Sequence, residues 1–205
     1  MNNGNCHEVL LPTAYLPSVG YFRLMAHYPA AAVELLETYP KQTLRNRASI
    51  LTANGILRLS VPVVRPYGNH TLTQDIGISY SEPWNIRHWR AITSAYNASP
   101  FFLYYRDELE DVLRRRHERL VDLNGALTRL FVKWLKIECT VRHTDRFTPP
   151  EGDLCDFRFQ DPPDRPDAPP YYQVFNTKFA FQRNLSIIDL LFNLGPESTE
   201  YLNGQ

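Results

Sequence analysis

The densest group of polar side chains lies in one short segment near the middle of the first half of the chain. The segment supplies three cations and two amides, which are Lys41, Arg45, Arg47, Gln42 and Asn46. Guanidinium groups bind phosphate or carboxylate through paired hydrogen bonds, so the segment could grip an anion. The alternative is a solvated entrance to a strand, whose cations pair with Glu34 and Glu37.

A second candidate combines an aromatic surface with a titratable group. Trp84 and His88 are four residues apart and share one face of a predicted helix, with Trp89 next to His88. An indole could stack on a ligand, and an imidazole titrates near neutral pH, which suits a general acid or base. The alternative is ordinary helix packing with a partly exposed histidine.

The sequence lacks the residue patterns of several other kinds of functional site. The six histidines include no pair with the spacing of a zinc site, so we predict no metal. The sequence has no G-x-S-x-G elbow, no phosphate-cradling glycine-rich loop and no dinucleotide fingerprint, and we predict no cofactor.

Three further features have a structural explanation. Asp189 lies three residues after Ser186, the spacing of a helix capping box. Cys155 lies in a proline-rich stretch without a nearby activating base, which is typical of an ordinary exposed thiol. The basic run at 114–119 has no aromatic residue interleaved, so we predict a solvated helix face rather than a nucleic-acid surface.

The composition narrows the class of protein. Lysine plus arginine equals aspartate plus glutamate, 22 against 22, which removes the overall basic field expected of a nucleic-acid binder. Three cysteines, an odd and sparse number, and a polar start to the sequence favour the cytoplasm over secretion. No apolar run approaches the ~18–20 residues of a membrane span.

Strands and helices alternate along the chain and must position these side chains. Strands are predicted at 8–11, 31–36, 74–78, 138–142 and 171–175, and helices at 21–28, 84–97, twice within 101–135 and from 186 onwards. Asn54-Gly55 between apolar stretches predicts a hairpin with a type I′ turn, in which Ile50 faces Leu59 and Ser49 faces Ser60.

We therefore predict an α/β fold, with α+β as the alternative. A single domain would span 1–205, with a mixed sheet that includes the Asn-Gly hairpin and is flanked by helices. A proline-rich loop would occupy about 145–170, and a loop of that length is often functional.

Segments throughout the chain resemble the WbqC-like protein family, particularly its versions from Bacteroidetes. The first segment is residues 13–22 (TAYLPSVGYF), and the second combines the polar residues of 34–47 with the hairpin at 54–63. The third is residues 84–102, which begin with a W-x-x-x-H-W pattern and end with SPFF. The last is residues 184–195 (NLSIIDLLFNLG). One departure concerns the first strand. Many members have a Gln-Pro pair after it, where this chain has Pro12-Thr13.

The resemblance implies a cytoplasmic step in surface-polysaccharide or O-antigen biosynthesis. The substrate would be an activated, nucleotide-linked sugar, and the reaction a transfer of an acyl or amide group to an amino sugar. The alternative is a non-catalytic protein of the same pathway that binds a ligand or partner. An edge strand at Pro62 and exposed tyrosines would permit a homodimer.

In this hypothesis the two polar clusters form one site. The ligand-binding residues are Lys41, Arg45, Asn46 and Arg47 for the phosphate or carboxylate, and Trp84 and Trp89 for the sugar or base. His88 is the acid or base, and Glu37, or Glu34, orients the cations. His88 and Glu37 are thus the catalytic candidates.

Overall fold

Short strands and amphipathic helices alternate in the computed structural model, which describes residues 7–147, 149, 155–163 and 165–204. The strands are β1 (Glu8–Pro12), β2 (Ala30–Glu34), β3 (Arg47–Thr52), β4 (Gly55–Ser60), β5 (Val63–Val64), β6 (Gly77–Ile78), β7 (Thr140–His143) and β8 (Cys155–Asp156). The helices are α1 (Val19–His27), α2 (Trp84–Tyr96), α3 (Phe102–Arg114), α4 (Leu120–Leu135), α5 (Ile187–Leu194) and α6 (Ser198–Asn203).

The central sheet has four parallel strands in the order β7-β2-β1-β8. Val9 and Leu11 of β1 are completely buried, as is Ala31 beside them on β2. Continuous burial of this kind is expected where helices cover a parallel sheet. The α/β prediction is therefore confirmed. The predicted mixed sheet does not include the hairpin, because among the described strands β3 pairs with β4 and β5 with β6, in two separate antiparallel pairs outside the parallel sheet.

The predicted hairpin forms, but its predicted register was wrong. Ile50 pairs with Leu57 and Ser49 with Arg58, and the turn residues are Ala53 and Asn54. The positive φ falls on Gly55, at +96°, which begins β4 instead of ending the turn. The register shift of two residues leaves every side chain on its predicted face, since side chains alternate with a period of two.

The helical predictions for 84–97 and 101–135 are confirmed by α2, α3 and α4. Their apolar faces meet in one core, where the Phe102 ring packs edge-on against Phe192 at 5.2 Å between centroids and Phe131 packs against Phe22 at 5.8 Å. The chain between α3 and α4 passes through the basic run, so Arg115 and Arg119 lie in a connection rather than on a helix face.

Two predictions in the last quarter of the chain were wrong. Residues 171–175 form no strand, and the capping box is absent. The Asp189 carboxylate instead accepts hydrogen bonds from Tyr96 (2.9 Å), Tyr171 (2.6 Å) and Gln173 (2.8 Å). Side-chain hydrogen bonds to one buried carboxylate thus hold the 171–175 segment in place. Burial raises the pKa of Asp189.

The proline-rich stretch at about 145–170 contains one regular element, β8, among its described residues. Residues 148, 150–154 and 164 lie outside the described part of the chain. Among the helices described, none combines the length and apolar character needed to cross a membrane.

Candidate anion-binding site

The order of the parallel strands creates a natural crevice beside β1. The chain leaves β1 and reaches β2 and β7 on one side, whereas β8 pairs with β1 on the other side. In open parallel sheets, ligands bind where neighbouring connections diverge in this way, just beyond the carboxyl ends of the strands.

A cavity of about 320 Å³ lies at this position. It is lined by residues that follow β1 (15–18), residues before and within the hairpin (42–44, 47–49 and 58), residues that follow β8 (161 and 162), and residues 184 and 186 before α5. Arg47, Ser49 and Arg58 share one face of the hairpin, because Ser49 pairs with Arg58 and side chains alternate along each strand. The hairpin therefore presents two guanidinium groups to the cavity wall.

Left-handed backbone conformations are concentrated around this cavity. Four non-glycine residues of the described chain have positive φ, and three of them, Leu16 (+41°), Gln42 (+61°) and Asn184 (+52°), line the cavity. Such conformations cost of order 1–3 kcal/mol each and tend to persist at ligand sites, where the surrounding structure enforces them. This concentration of strained backbone makes the cavity a candidate functional site.

Asn184 and Gly20 fix the wall between α1 and the segment after β8. The Asn184 side chain accepts from the Gly20 amide at 2.9 Å and donates to the Pro162 carbonyl at 3.1 Å. A Cβ on residue 20 would lie 2.7 Å from the carbonyl oxygens of Pro162 and Pro163. Only glycine permits this close approach of two backbone segments.

Two polar groups at the cavity have no hydrogen-bond partner within the described chain. They are Arg47 Nε and Ser186 Oγ, and Ser186 is 2% exposed. Buried polar atoms are almost always paired, so each unpaired one needs an explanation such as a missing ligand or water. Arg47 also forms no ion pair with any described residue. A buried guanidinium nitrogen and a buried hydroxyl beside the cavity thus lack a partner among the described residues.

Arg45, two residues away, is used internally. Its Nε donates to Glu37 at 2.7 Å and its Nη2 to the Arg158 carbonyl at 3.0 Å, and its side chain is 2% exposed. Burial raises the pKa of Glu37, although the Arg45 charge opposes the shift. The structure therefore brings Arg45 and Glu37 together with each other but not with the cavity.

A second buried ion pair joins the same region. Arg158, which follows β8, contacts the end of β2 through Glu34 at 2.9 Å and β8 itself through Asp156 at 2.7 Å. The Arg158 and Glu34 side chains have no exposed surface. These ion pairs join the carboxyl ends of β2 and β8, the two strands on either side of β1.

The aromatic candidates lie in the core. His88 Nδ1 is 2.9 Å from the hydroxyl of Tyr15, and Trp84 packs edge-on against His88 at 5.2 Å between ring centroids. Trp89 stacks on Phe102 at 6.1 Å. Burial lowers the pKa of His88 to about 4, so the imidazole is neutral near pH 7. None of the three predicted residues lines the cavity, but His88 contacts it indirectly through Tyr15.

The remaining two predicted residues also lie apart from the cavity wall. Asn46 is buried and donates from Nδ2 to the Val61 carbonyl at 3.0 Å, which ties β3 to the residue after β4. Lys41 is exposed to solvent. Among the described residues, no group of three His, Cys, Asp or Glu side chains could hold a metal ion.

A sequence model of the WbqC-like protein family matches residues 13–156 and 151–201. The chain belongs to the WbqC-like protein family. A similar protein of the bacterium Mycobacterium tuberculosis, the uncharacterized protein Rv1507c, is 27% identical over 222 residues, which cover 94% of this chain and 96% of the relative. No solved structure matches. The Bacteroidetes type stays a prediction.

Three of the segments that resemble the family converge on the cavity. Residues 15–18 come from the first segment, Gln42 and Arg47 from the second, and Asn184 and Ser186 from the last. The segment with Trp84 and His88 lies behind Tyr15. Three of the four segments that resemble the family therefore contribute residues to the lining of this cavity.

Sequence reasoning missed Arg58, Ser186 and Asn184 as site residues. The correct hairpin register would have placed Arg58 opposite Ser49, on the same face as Arg47. Ser186 was assigned to helix capping, and it does occupy the N-cap of α5, but its side chain makes no capping hydrogen bond. The Ser186 hydroxyl therefore has no hydrogen-bond partner among the described residues.

Proposed function

We propose that this WbqC-like protein binds an anionic, nucleotide-linked or phosphorylated sugar in the cavity beside β1, as a step of surface-polysaccharide or O-antigen biosynthesis. The observation that carries the proposal is the pair of unpartnered groups, Arg47 Nε and Ser186 Oγ, at one cavity with Arg58. A guanidinium and a hydroxyl together suit a phosphate oxygen.

The rest of the lining suits a sugar. Gln42, Thr43, Ser49 and Asn184 offer amides and hydroxyls that can both donate and accept. Asp161 is the one carboxylate in the described lining, against two arginines. The cavity therefore combines a positive wall with neutral polar groups, which matches a sugar joined to a phosphate.

For an enzymatic role we propose acyl transfer to an amino sugar. The sugar nitrogen would form a bond to the carbonyl carbon of an acyl phosphate or thioester, and the bond to the phosphate or thiolate would break with its electron pair. The departing group can take the amine proton, so the step does not require a side chain that titrates near neutral pH. The protein would bind and orient the sugar for this attack.

The second candidate is binding without turnover. It is favoured by the chemistry of the described lining, where burial raises the pKa of Tyr15 and the nearby His88 has its pKa lowered to about 4. Neither group exchanges protons readily at pH 7. Both candidates place the protein in the cytoplasm, where free thiols such as Cys139 persist.

A thermal-shift panel tests the shared claim. Nucleotide sugars, the matching nucleotides, inorganic phosphate and an uncharged sugar are each added to the wild-type protein and to two variants, Arg47→Gln and Arg90→Gln. Arg90 is exposed on α2 and serves as a control for lost positive charge. A bound ligand at a hundred times its Kd stabilises the native state by about 2.7 kcal/mol.

The proposal expects stabilisation by a nucleotide sugar in the wild type and Arg90→Gln, and its loss in Arg47→Gln. An equal shift in all three proteins, or no shift with any anionic sugar, would contradict it. Mass spectrometry of a nucleotide amino sugar incubated with acyl phosphate or acyl thioester then separates the two candidates, because only the enzyme adds the mass of the acyl group.

A further inference from the structure

A second concave region is lined by residues of β7 and α4. A cavity of about 420 Å³ and an adjoining one of about 450 Å³ share four lining residues, which are Val121, Gly125, Arg129 and His143. The two cavities therefore form one continuous groove, here called the α4 groove. The α4 groove shares no lining residue with the cavity beside β1.

The first half of the α4 groove has a wall of four valines and a cysteine, which are Val33, Val121, Val132, Val141 and Cys139. Polar and charged side chains border this apolar wall, which are Thr13, Thr128, Arg129, Lys133 and His143. Val33 and Val141 point to the same face of the sheet, because Val33 pairs with His143 and side chains alternate along β7. Burial raises the pKa of the Cys139 thiol to about 11, so it stays uncharged. Val141 remains 37% exposed, which leaves apolar surface uncovered.

The second half of the α4 groove carries positive charge. Three arginines and one aspartate line it, which are Arg115, Arg119, Arg129 and Asp122. Arg119 pairs with Asp122 through two hydrogen bonds of 3.1 Å. No ion pair is found for Arg115 or Arg129 within the described chain. Two guanidinium groups without an ion-pair partner among the described residues thus line the groove, Arg129 where the two cavities join and Arg115 in the second half.

Gly125 keeps the two halves connected. It lies in the middle of the sixteen-residue helix α4, where glycine costs about 1 kcal/mol relative to alanine. A Cβ there would meet only Arg129 Nη1, at 3.3 Å, so packing does not demand glycine. A larger side chain would instead fill the junction between the cavities. The lack of a side chain preserves space in the groove at the expense of helix stability.

We propose that the α4 groove is a second binding site, for a soluble amphiphilic anion with an acyl or alkyl chain between the valines and a phosphate or carboxylate head on Arg115 and Arg129. The valine-lined half supplies apolar contact, and the arginines supply charge complementarity. The inference goes beyond the sugar-binding proposal and does not rest on it, since the two sites share no residue.

The first experiment uses decyl phosphate below its critical micelle concentration, titrated into the wild-type protein by calorimetry. Inorganic phosphate is the control without a chain, and decyltrimethylammonium is the control with the same chain and opposite charge. Decyl phosphate is expected to bind at least about tenfold more tightly than either control, because each lacks one of the two contacts.

Variants then locate the site. Gly125→Leu fills the junction and should abolish binding, and Arg129→Gln should weaken it roughly tenfold. Gly125→Ala is expected to raise the thermal midpoint while it narrows the groove, so a loss of binding in that variant cannot be due to unfolding. Arg90→Gln, on the exposed surface of α2, should bind like the wild type.

Three results would overturn the inference. They are equal binding of decyltrimethylammonium, unchanged binding of decyl phosphate in both Gly125→Leu and Arg129→Gln, and binding to phosphatidylglycerol vesicles without binding to monomeric decyl phosphate. Nucleotide-sugar binding measured on the same variants should be unaffected, so failure here and failure of the sugar-binding proposal are separate outcomes.

Discussion

The backbone amide of Ser186 donates a hydrogen bond to the carbonyl of Ser49 at 2.9 Å. This bond joins the start of α5 to the centre of β3, although the two residues are far apart in the sequence. It brings the unpartnered Ser186 hydroxyl to the same cavity as Arg47, which lies two residues before Ser49 on the same face of β3. The candidate site therefore depends on docking α5 against the hairpin.

Removing the Ser186 hydroxyl should separate binding from stability. Ser186→Ala deletes a buried oxygen that has no protein partner, so the free energy of unfolding should stay the same or rise by up to about 1 kcal/mol. Affinity for the nucleotide sugar should fall roughly tenfold to a hundredfold, since one hydrogen bond to a charged group is lost. Urea unfolding and calorimetry measure the two quantities.

Ser81→Ala, in an exposed loop, is the matched control and should change neither quantity. A Ser186→Ala protein that is strongly destabilised, or that binds the nucleotide sugar as tightly as the wild type does, would show that the hydroxyl serves the fold and not the ligand.

The buried ion pair between Glu34 and Arg158 should matter for stability. Glu34→Gln places an amide where a carboxylate now accepts from Arg158 at 2.9 Å, which leaves a buried positive charge incompletely compensated. The free energy of unfolding should fall by about 3–5 kcal/mol. Glu108→Gln removes an exposed partner of Lys133 and should cost no more than about 1 kcal/mol. Similar losses of unfolding free energy in both variants would contradict a stabilising role for the buried Glu34–Arg158 ion pair.

His88 should contribute a pH dependence to stability. Its folded-state pKa of about 4 lies below the ordinary histidine pKa of 6.5, so the unfolded chain binds a proton in acid that the native state does not. The stabilisation is complete above about pH 6.5 and is lost as the pH falls towards 4. Between pH 7 and 4.5 this amounts to roughly 2–3 kcal/mol.

The measurement is urea unfolding at several pH values for the wild type and for His88→Gln. The variant cannot titrate at this position, so its free energy of unfolding should fall less between pH 7 and 4.5 than that of the wild type. Parallel curves for the two proteins would mean that His88 has a similar pKa in the folded and unfolded states.

Gly20 offers a test of the cavity wall. In Gly20→Ala the new methyl group would approach the Pro162 and Pro163 carbonyls to 2.7 Å, so backbone must move. We expect a loss of about 1–3 kcal/mol in unfolding free energy and weaker nucleotide-sugar binding, because Pro162 lines the cavity. Gly125→Ala is the matched glycine substitution and should be neutral or stabilising, so a loss there would contradict the steric argument.

Strands and helices could be predicted from the sequence where a single local pattern specifies which element a segment forms. The apolar run of β1 and the helical spacing of α2 to α4 each specify an element without outside help. The hairpin was predictable from Asn54-Gly55, but its register depended on which residue takes positive φ. Gly55 has the positive φ, and the resulting register places Arg58 opposite Ser49.

The site was predictable only in part, because the partners of its residues are distant in the sequence. Arg45 and Arg47 look equivalent in the sequence, yet Arg45 meets Glu37 and the Arg158 carbonyl, the latter across more than a hundred residues. Asp189 has capping-box spacing, but Tyr96 and Tyr171 compete for its carboxylate. No local pattern contains such contacts.

The most direct test of the central claim is a crystal structure of the protein soaked with a nucleotide sugar. The account predicts a phosphate oxygen within about 3 Å of both Arg47 Nε and Ser186 Oγ, the hydrogen-bonding distance for such groups, with the sugar near Gln42 and Asn184. A bound nucleotide sugar elsewhere on the molecule, with Arg47 Nε and Ser186 Oγ still unpaired or occupied by water, would contradict it.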